Sequence, residues 1–209
     1  MNPTISIAVS GNTGKIEHGK PVVILLHGYG SNENDLPSLM QFLPQNLPWY
    51  SLRAPLDTNN GGFAWAPMST PGNPLASDIE PATARVWAWI DANLPAECPL
   101  IVIGFSQGGL MTTQLLRTRP ERLLATLVLA GFTLGAEQPA DAWLTEHRPK
   151  VFYARGLADQ VISSDTAART LNWLKAHVDA DVHAYEGLGH SIDGRVMANA
   201  AEYLAERLS

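Results

Sequence analysis

The sequence predicts an α/β fold, a mostly parallel central sheet with helices on both faces, built as a single domain over residues 1–209. Three observations carry that prediction. The runs at 21–27 and 99–103 are continuously apolar, the mark of strands buried on both sides. Beyond the first run, strand and helix patterns alternate, the order that lays parallel strands side by side with crossover helices outside. Finally, 209 residues suffice for one well-buried domain but not for two comfortable ones, and no linker, repeat or low-complexity tract divides them.

Residues 4–9 alternate as a half-exposed strand. The polar turn behind them holds Gly14 and Gly19-Lys20, nearly the spacing of a phosphate-binding loop. Pro21 stands where that motif needs Ser or Thr, and a strand follows where it needs a helix, so no phosphate site is expected. The strand at 21–27 leads into Gly28-Tyr29-Gly30 and a helical segment to about Phe42, which Ser31 or Asn32 can cap. Residues 49–54 form another strand, stopped at Pro55. The stretch 56–77 reads as a long loop broken by Asn59-Asn60-Gly61-Gly62, Pro67, Pro71 and Pro74; such segments inside a compact domain are often functional.

A helix starts at Ser77, a possible cap, with Asp78 and Glu80 suited to its positive end and Pro81 to its first turn. Val86, Trp87, Trp89, Ile90 and Leu94 form its apolar face. The strand at 99–103 and a helix at 109–117 come next, then a strand at 123–131 and a mixed connection at 132–148. A strand at 151–154 precedes a helix over 163–177 that Ser163 or Ser164 can cap. Residues 181–185 make the last strand, and a final helix covers about 192–208.

The chemistry gathers at strand ends. Gly104-Phe105-Ser106-Gln107-Gly108 lies at the hinge of a strand and a helix, with a glycine two places to either side of the serine. Such a turn is a nucleophile elbow: it strains the serine backbone and projects the hydroxyl from the top of a sheet. A serine hydroxyl is a weak nucleophile at neutral pH and needs a base, normally histidine, oriented by a carboxylate. In an open parallel sheet these groups collect beyond the carboxyl ends of strands.

That rule sorts the six histidines. His18 precedes the first central strand, His147 sits in a charged loop, His177 near a helix end and His183 inside a strand. His190 follows the last strand in a glycine-flanked loop and is the expected base. His27 also ends a strand, but the glycine turn beside it points to a loop-organising role. Asp159, beyond the strand at 151–154, is the expected carboxylate, because Asp165 and Asp193 suit helix starts. Ser106, Asp159 and His190 then stand in the chain order of a hydrolase on this kind of sheet.

The Gly28–Gly30 turn admits two readings. A dinucleotide loop, and with it an oxidoreductase, would want a third glycine where Glu33 stands. A hydrolase loop brings one backbone N–H of an oxyanion hole toward the serine. The presence of Ser106 selects the second. A binding module that had abandoned catalysis on the same scaffold would be expected to lack a triad member, and all three are present.

Leu26-His27-Gly28-Tyr29-Gly30 with Asp35 beyond, Arg53-Ala54-Pro55, Gly104-Phe105-Ser106-Gln107-Gly108-Gly109, the stretch 156–161 and Gly187-Leu188-Gly189-His190-Ser191-Ile192 together resemble one family. It is the phospholipase/carboxylesterase family of α/β-hydrolases, which includes acyl-protein thioesterases, and the resemblance spans nearly the whole chain. It implies a serine hydrolase that cleaves carboxylic esters or thioesters through an acyl-serine intermediate, with lysophospholipase activity in the same class. Ser106, Asp159 and His190 match its triad, and the backbone N–H groups of Tyr29 and Gln107 its oxyanion positions. Three departures stand out. Tyr29 replaces a more usual Leu or Met, Gln160 a frequent Pro, and Ala66-Pro67 follows Trp65 in place of an aromatic-acid pair.

No cap domain fits this length, so an open groove bounded by 56–77 and 132–148 is expected. Phe63, Trp65 and Met68 are poor choices for a solvated loop; they line a substrate pocket, with Phe132, or they pin the loop to the body. The expected substrate is a small-molecule ester or acyl thioester, or an acylated protein. The chemistry calls for no metal and no organic cofactor. A net charge of −6 without a basic patch argues against nucleic acid, and no run reaches membrane-spanning length. The first residues show no basic run followed by an apolar core, so a cytoplasmic location is expected. The single cysteine, Cys98, excludes an intramolecular disulfide or a cysteine-based metal site and reads as a small packing residue.

Overall fold

The computed structural model describes residues 4–5, 8–13, 16, 19–44, 46–68 and 72–209. Gly14, His18 and Pro71, singled out above, lie outside them. The chain opens with β1 (Ala8–Gly11), further along than the strand expected at 4–9, of which residues 6 and 7 fall outside the described set. The apolar run beyond becomes β2 (Val22–Leu26), followed by β3 (Trp49–Leu52). A small hairpin of β4 (Leu56–Asp57) and β5 (Phe63–Ala64) precedes helix α1 (Ala76–Asn93). Then strand and helix alternate: β6 (Leu100–Phe105), α2 (Gln107–Leu116), β7 (Leu123–Leu129), α3 (Asp141–His147) and β8 (Lys150–Gly156). The chain ends with α4 (Ser164–His177), β9 (Asp179–Tyr185) and α5 (Gly194–Leu208).

Among the described residues one seven-stranded sheet runs in the order β1-β3-β2-β6-β7-β8-β9. β1 pairs antiparallel with β3, and every other neighbouring pair is parallel. The period of two along each strand divides the core. Val22, Ile24, Leu26, Leu100 and Val102 pack toward α1 and α2, while Val23, Leu25, Ile101 and Ile103 pack toward α5. A third cluster joins Val128, Val151 and Tyr153 to Leu116, Leu144 and Leu174 of α2, α3 and α4. Helices therefore cover both faces, which is why the two central strands read as unbroken apolar runs.

Several local expectations change. After β2 the chain makes a 3₁₀ segment, Pro37–Phe42, with no side-chain cap. Ser31 Oγ instead donates to Asp35 Oδ2 (2.8 Å), and Asn32 Oδ1 accepts from the Asn34 N–H (2.9 Å). These short polar side chains satisfy the turn itself rather than a helix start. The helix N-terminus that a dinucleotide loop would use is thereby missing from this position. The stretch 56–77 is not loop throughout: the Gly30 N–H donates to Phe63 O (2.9 Å) and the Phe63 N–H to Ser31 O (2.7 Å), tying the hairpin to the loop after β2. α1 starts at Ala76 without a side-chain cap, and Pro81 lies inside it, past the first turn. Ser163 does cap α4, accepting from the Thr166 N–H, and Asp193 caps α5.

The connection at 132–148 contains α3 and is anchored by the buried Arg117. Its Nε and Nη2 donate to Asp141 Oδ1 (2.8 Å) and Oδ2 (2.6 Å), and Nη1 and Nη2 reach Leu134 O and Ala136 O (2.8 and 2.9 Å). Cys98 is buried, its Sγ 3.2 Å from Lys20 O, in keeping with a packing role.

Candidate active site

β6 delivers Ser106 at φ 55° and ψ −116°, a region a residue with a Cβ enters only when its surroundings hold it there. Its N–H donates to Leu129 O (2.9 Å), and its carbonyl accepts from the Leu110 N–H (3.1 Å). A methyl on Gly104 would lie 2.1 Å from Gly108 O, and one on Gly108 1.8 Å from Leu26 O. Both positions require glycine because α2 passes directly over β2 and β6.

Ser106 Oγ lies 2.8 Å from His190 Nε2, and His190 Nδ1 lies 2.8 Å from Asp159 Oδ2. The other carboxylate oxygen, Oδ1, accepts the N–H groups of Val161 (2.8 Å) and Ile162 (3.0 Å). Burial pushes the Asp159 pKa up, but the hydrogen bonds from His190, Ile162 and Val161 outweigh it and hold the pKa below its ordinary 3.8. A carboxylate charged at neutral pH keeps the proton on Nδ1 and leaves the Nε2 lone pair facing the serine. The structure thus brings together the three residues expected from strand ends. His147 and His177 stack instead on Trp143 and Trp173, and His183 faces Asp181.

Tyr29 lies in the loop beyond β2 and Gln107 is the first residue of α2. Among the described residues neither N–H donates to a main-chain carbonyl in the loops and turns around the site. The two segments run close together: a methyl on Gly28 would lie 3.3 Å from Ser106 Cβ.

The phospholipase/carboxylesterase family profile matches residues 13–208, almost the full length. The chain belongs to the phospholipase/carboxylesterase family. Acyl-protein thioesterase 1 of Kluyveromyces lactis is 24% identical over an alignment of 218 positions, covering 93% of this chain and 95% of that one. Carboxylesterase SOBER1 of Arabidopsis thaliana is 26% identical over 209 positions, covering 89% and 90%. The crystal structure of a carboxylesterase from Mesorhizobium loti matches with a TM-score of 0.78 at 18% identity, over 98% of this chain and 99% of that one. The fold is that of the α/β-hydrolases, and by family the chain is a carboxylic ester hydrolase. Among the described residues no helix is long and apolar enough to cross a membrane.

Of the four apolar residues considered for a pocket wall, Trp65 and Phe132 belong elsewhere. Trp65 is 0% exposed; its Nε1 donates to His27 O (2.8 Å) and its ring packs 5.3 Å from the imidazole. It pins the loop to the body, because an indole N–H buried this deeply must find an acceptor. Phe132 is 4% exposed and sits in the core. Phe63 is half-buried beneath the Arg53 guanidinium, and Met68 is exposed.

His27 has the loop-organising contacts expected of it. The Ala54 N–H donates to Nε2 (3.1 Å), so the proton sits on Nδ1, which donates to Gly28 O (2.7 Å). Burial lowers its pKa below the ordinary 6.5, keeping the ring neutral. Two features carried no sequence signal. Arg53 pairs with the buried Glu33 through two contacts, Nε to Oε2 (2.6 Å) and Nη2 to Oε1. The Gln107 carboxamide accepts the Trp65 N–H at Oε1 (2.9 Å) and donates from Nε2 to Ala66 O (2.8 Å). Nothing in the sequence marks the Gln107 side chain as buried, and only the folded arrangement brings the 63–66 segment over it.

Proposed function

We propose that Ser106 is the nucleophile of an esterase or thioesterase, with His190 as general base and Asp159 as the group orienting it. His190 Nε2 takes the hydroxyl proton as Oγ attacks the acyl carbonyl, and Asp159 stabilises the imidazolium that forms. The tetrahedral oxyanion is held by the N–H groups of Tyr29 and Gln107, each worth about 10²–10³ in rate. Collapse expels the alcohol or thiol, protonated by His190. Water activated by the same imidazole then hydrolyses the acyl-serine and frees the acid. The observation that carries this reading is the pair of 2.8 Å contacts joining Ser106, His190 and Asp159.

The substrate is a carboxylic ester or acyl thioester, small or borne by a protein, met in the cytoplasm. The relatives named as a thioesterase and a carboxylesterase support that breadth, and exposed Met68 and half-buried Phe63 offer the acyl chain apolar contact. The test is a chain-length series of matched esters and thioesters, with a lysophospholipid included, run on wild type and Ser106→Ala. Ser106→Ala is expected to lower kcat by at least about 10³-fold on every substrate turned over. An unchanged kcat would sink the assignment.

A further inference from the structure

The two N–H groups assigned to the oxyanion come from different loops, and catalysis depends on their mutual placement. On one side, Gly28 O accepts from His27 Nδ1. In a trans peptide that carbonyl and the Tyr29 N–H share a plane and point in opposite directions, so fixing one fixes the other. On the other side, the Gln107 carboxamide grips the main chain of Trp65 and Ala66 with one acceptor and one donor. Trp65 joins the two sides: its main chain is bound by Gln107, and its indole N–H is bound by the carbonyl of His27.

We infer that Trp65 and the Gln107 side chain are positioning residues, and that the buried bridge Gln107–Trp65–His27 holds the two oxyanion donors in register. This rests on the hydrolase reading above. The residue types fit the task. At position 107 one side chain must both accept and donate; glutamate keeps only the acceptor and methionine neither. At position 65 the ring must fill core volume and also present an N–H, which phenylalanine lacks. His27, Trp65 and Gln107 are 0%, 0% and 3% exposed, so a lost bond is not readily replaced by water. Loosening the bridge moves donors whose value depends on meeting the oxyanion at about 2.7–3.1 Å, and a misplacement near 1 Å costs about 10² in rate. The transition state therefore suffers more than the bound substrate.

The test compares Trp65→Phe, Gln107→Met and Gln107→Glu with wild type. Active sites are counted by fluorophosphonate titration, so that only competent enzyme enters kcat. The second readout is the inhibition constant of a trifluoromethyl ketone analogue, whose adduct with the serine places an oxyanion in the hole. The expected result is a fall in kcat per titrated site of about 10–10²-fold with KM nearly unchanged. The inhibition constant rises by about the same factor as kcat/KM falls, and the Trp65→Phe/Gln107→Met double variant loses less than the product of the single losses. If Trp65→Phe does not fold, Gln107→Met and Gln107→Glu decide. Wild-type kcat and ketone affinity in the folded variants would overturn the bridge, as would a raised KM with unchanged kcat. Failure of the hydrolase reading looks different: wild type itself would resist the fluorophosphonate, or Ser106→Ala would retain turnover.

Discussion

His27 cannot accept a second proton without losing the bond from the Ala54 N–H, which needs the Nε2 lone pair, and burial lowers its pKa below 6.5. The unfolded chain therefore protonates this histidine first as the solution is acidified. Stability falls from pH 6.5 downward, by at most about 1.4 kcal/mol per pH unit for the one proton, until the folded pKa is passed. Asp159 acts later and through the opposite charge. Its folded pKa lies below 3.8, so its contribution is fully present above that value and is lost as pH falls through the lowered one. Urea unfolding of wild type and His27→Gln as a function of pH separates the two groups. The variant is expected to lose stability less steeply just below pH 6.5 and to keep the later acid step. Equal slopes over the first range would refute the assignment of that range to His27.

Ion pairs at the element level differ according to burial. Arg117, the residue that ends α2, and Asp141, opening α3, have side chains 1% and 7% exposed, whereas Asp91 on α1 meets Arg119 with 48% and 34% exposure. Removing one partner of a buried pair strands the other charge, at a cost of about 3–5 kcal/mol, whereas an exposed pair is worth about 0–1 kcal/mol. Asp141→Ala should accordingly destabilise far more than Asp91→Ala in denaturant titrations, and equal losses would mean that Arg117 finds solvent. The same contrast explains what was legible in the sequence. β2 and β6 stood out because, covered on both faces, they carry no polar side chain, and Ser163 because a cap is a local interaction. The β4–β5 hairpin was not legible, since two-residue strands show no periodicity. The roles of Arg117, Glu33 and the Gln107 side chain were also hidden, because a polar side chain looks the same in sequence whether water or a buried partner satisfies it. Trp65 was legible as misplaced in a solvated loop, but the choice between wall and strut needed its acceptor, His27 O.

For the whole molecule, we propose that the chain unfolds as one unit. Both main core layers draw on the same strands: Ile24 and Val102 face α1 and α2, while Leu25 and Ile103, one residue on, face α5. Losing either layer exposes the strands that hold the other, so neither half has a core of its own. The site depends on the same sheet, because Ser106 follows β6, Asp159 follows β8 and His190 follows β9. The six tryptophans are distributed to report on this. Trp65 and Trp87 lie in the layer under α1, Trp49 packs beside the α5 layer, and Trp173 packs against the third cluster. Tryptophan fluorescence, far-ultraviolet circular dichroism and residual esterase activity are expected to fall together in urea, with one midpoint. If fluorescence instead separated into two transitions while activity followed one of them, the chain would hold two independently stable units and the single-domain assignment would fail.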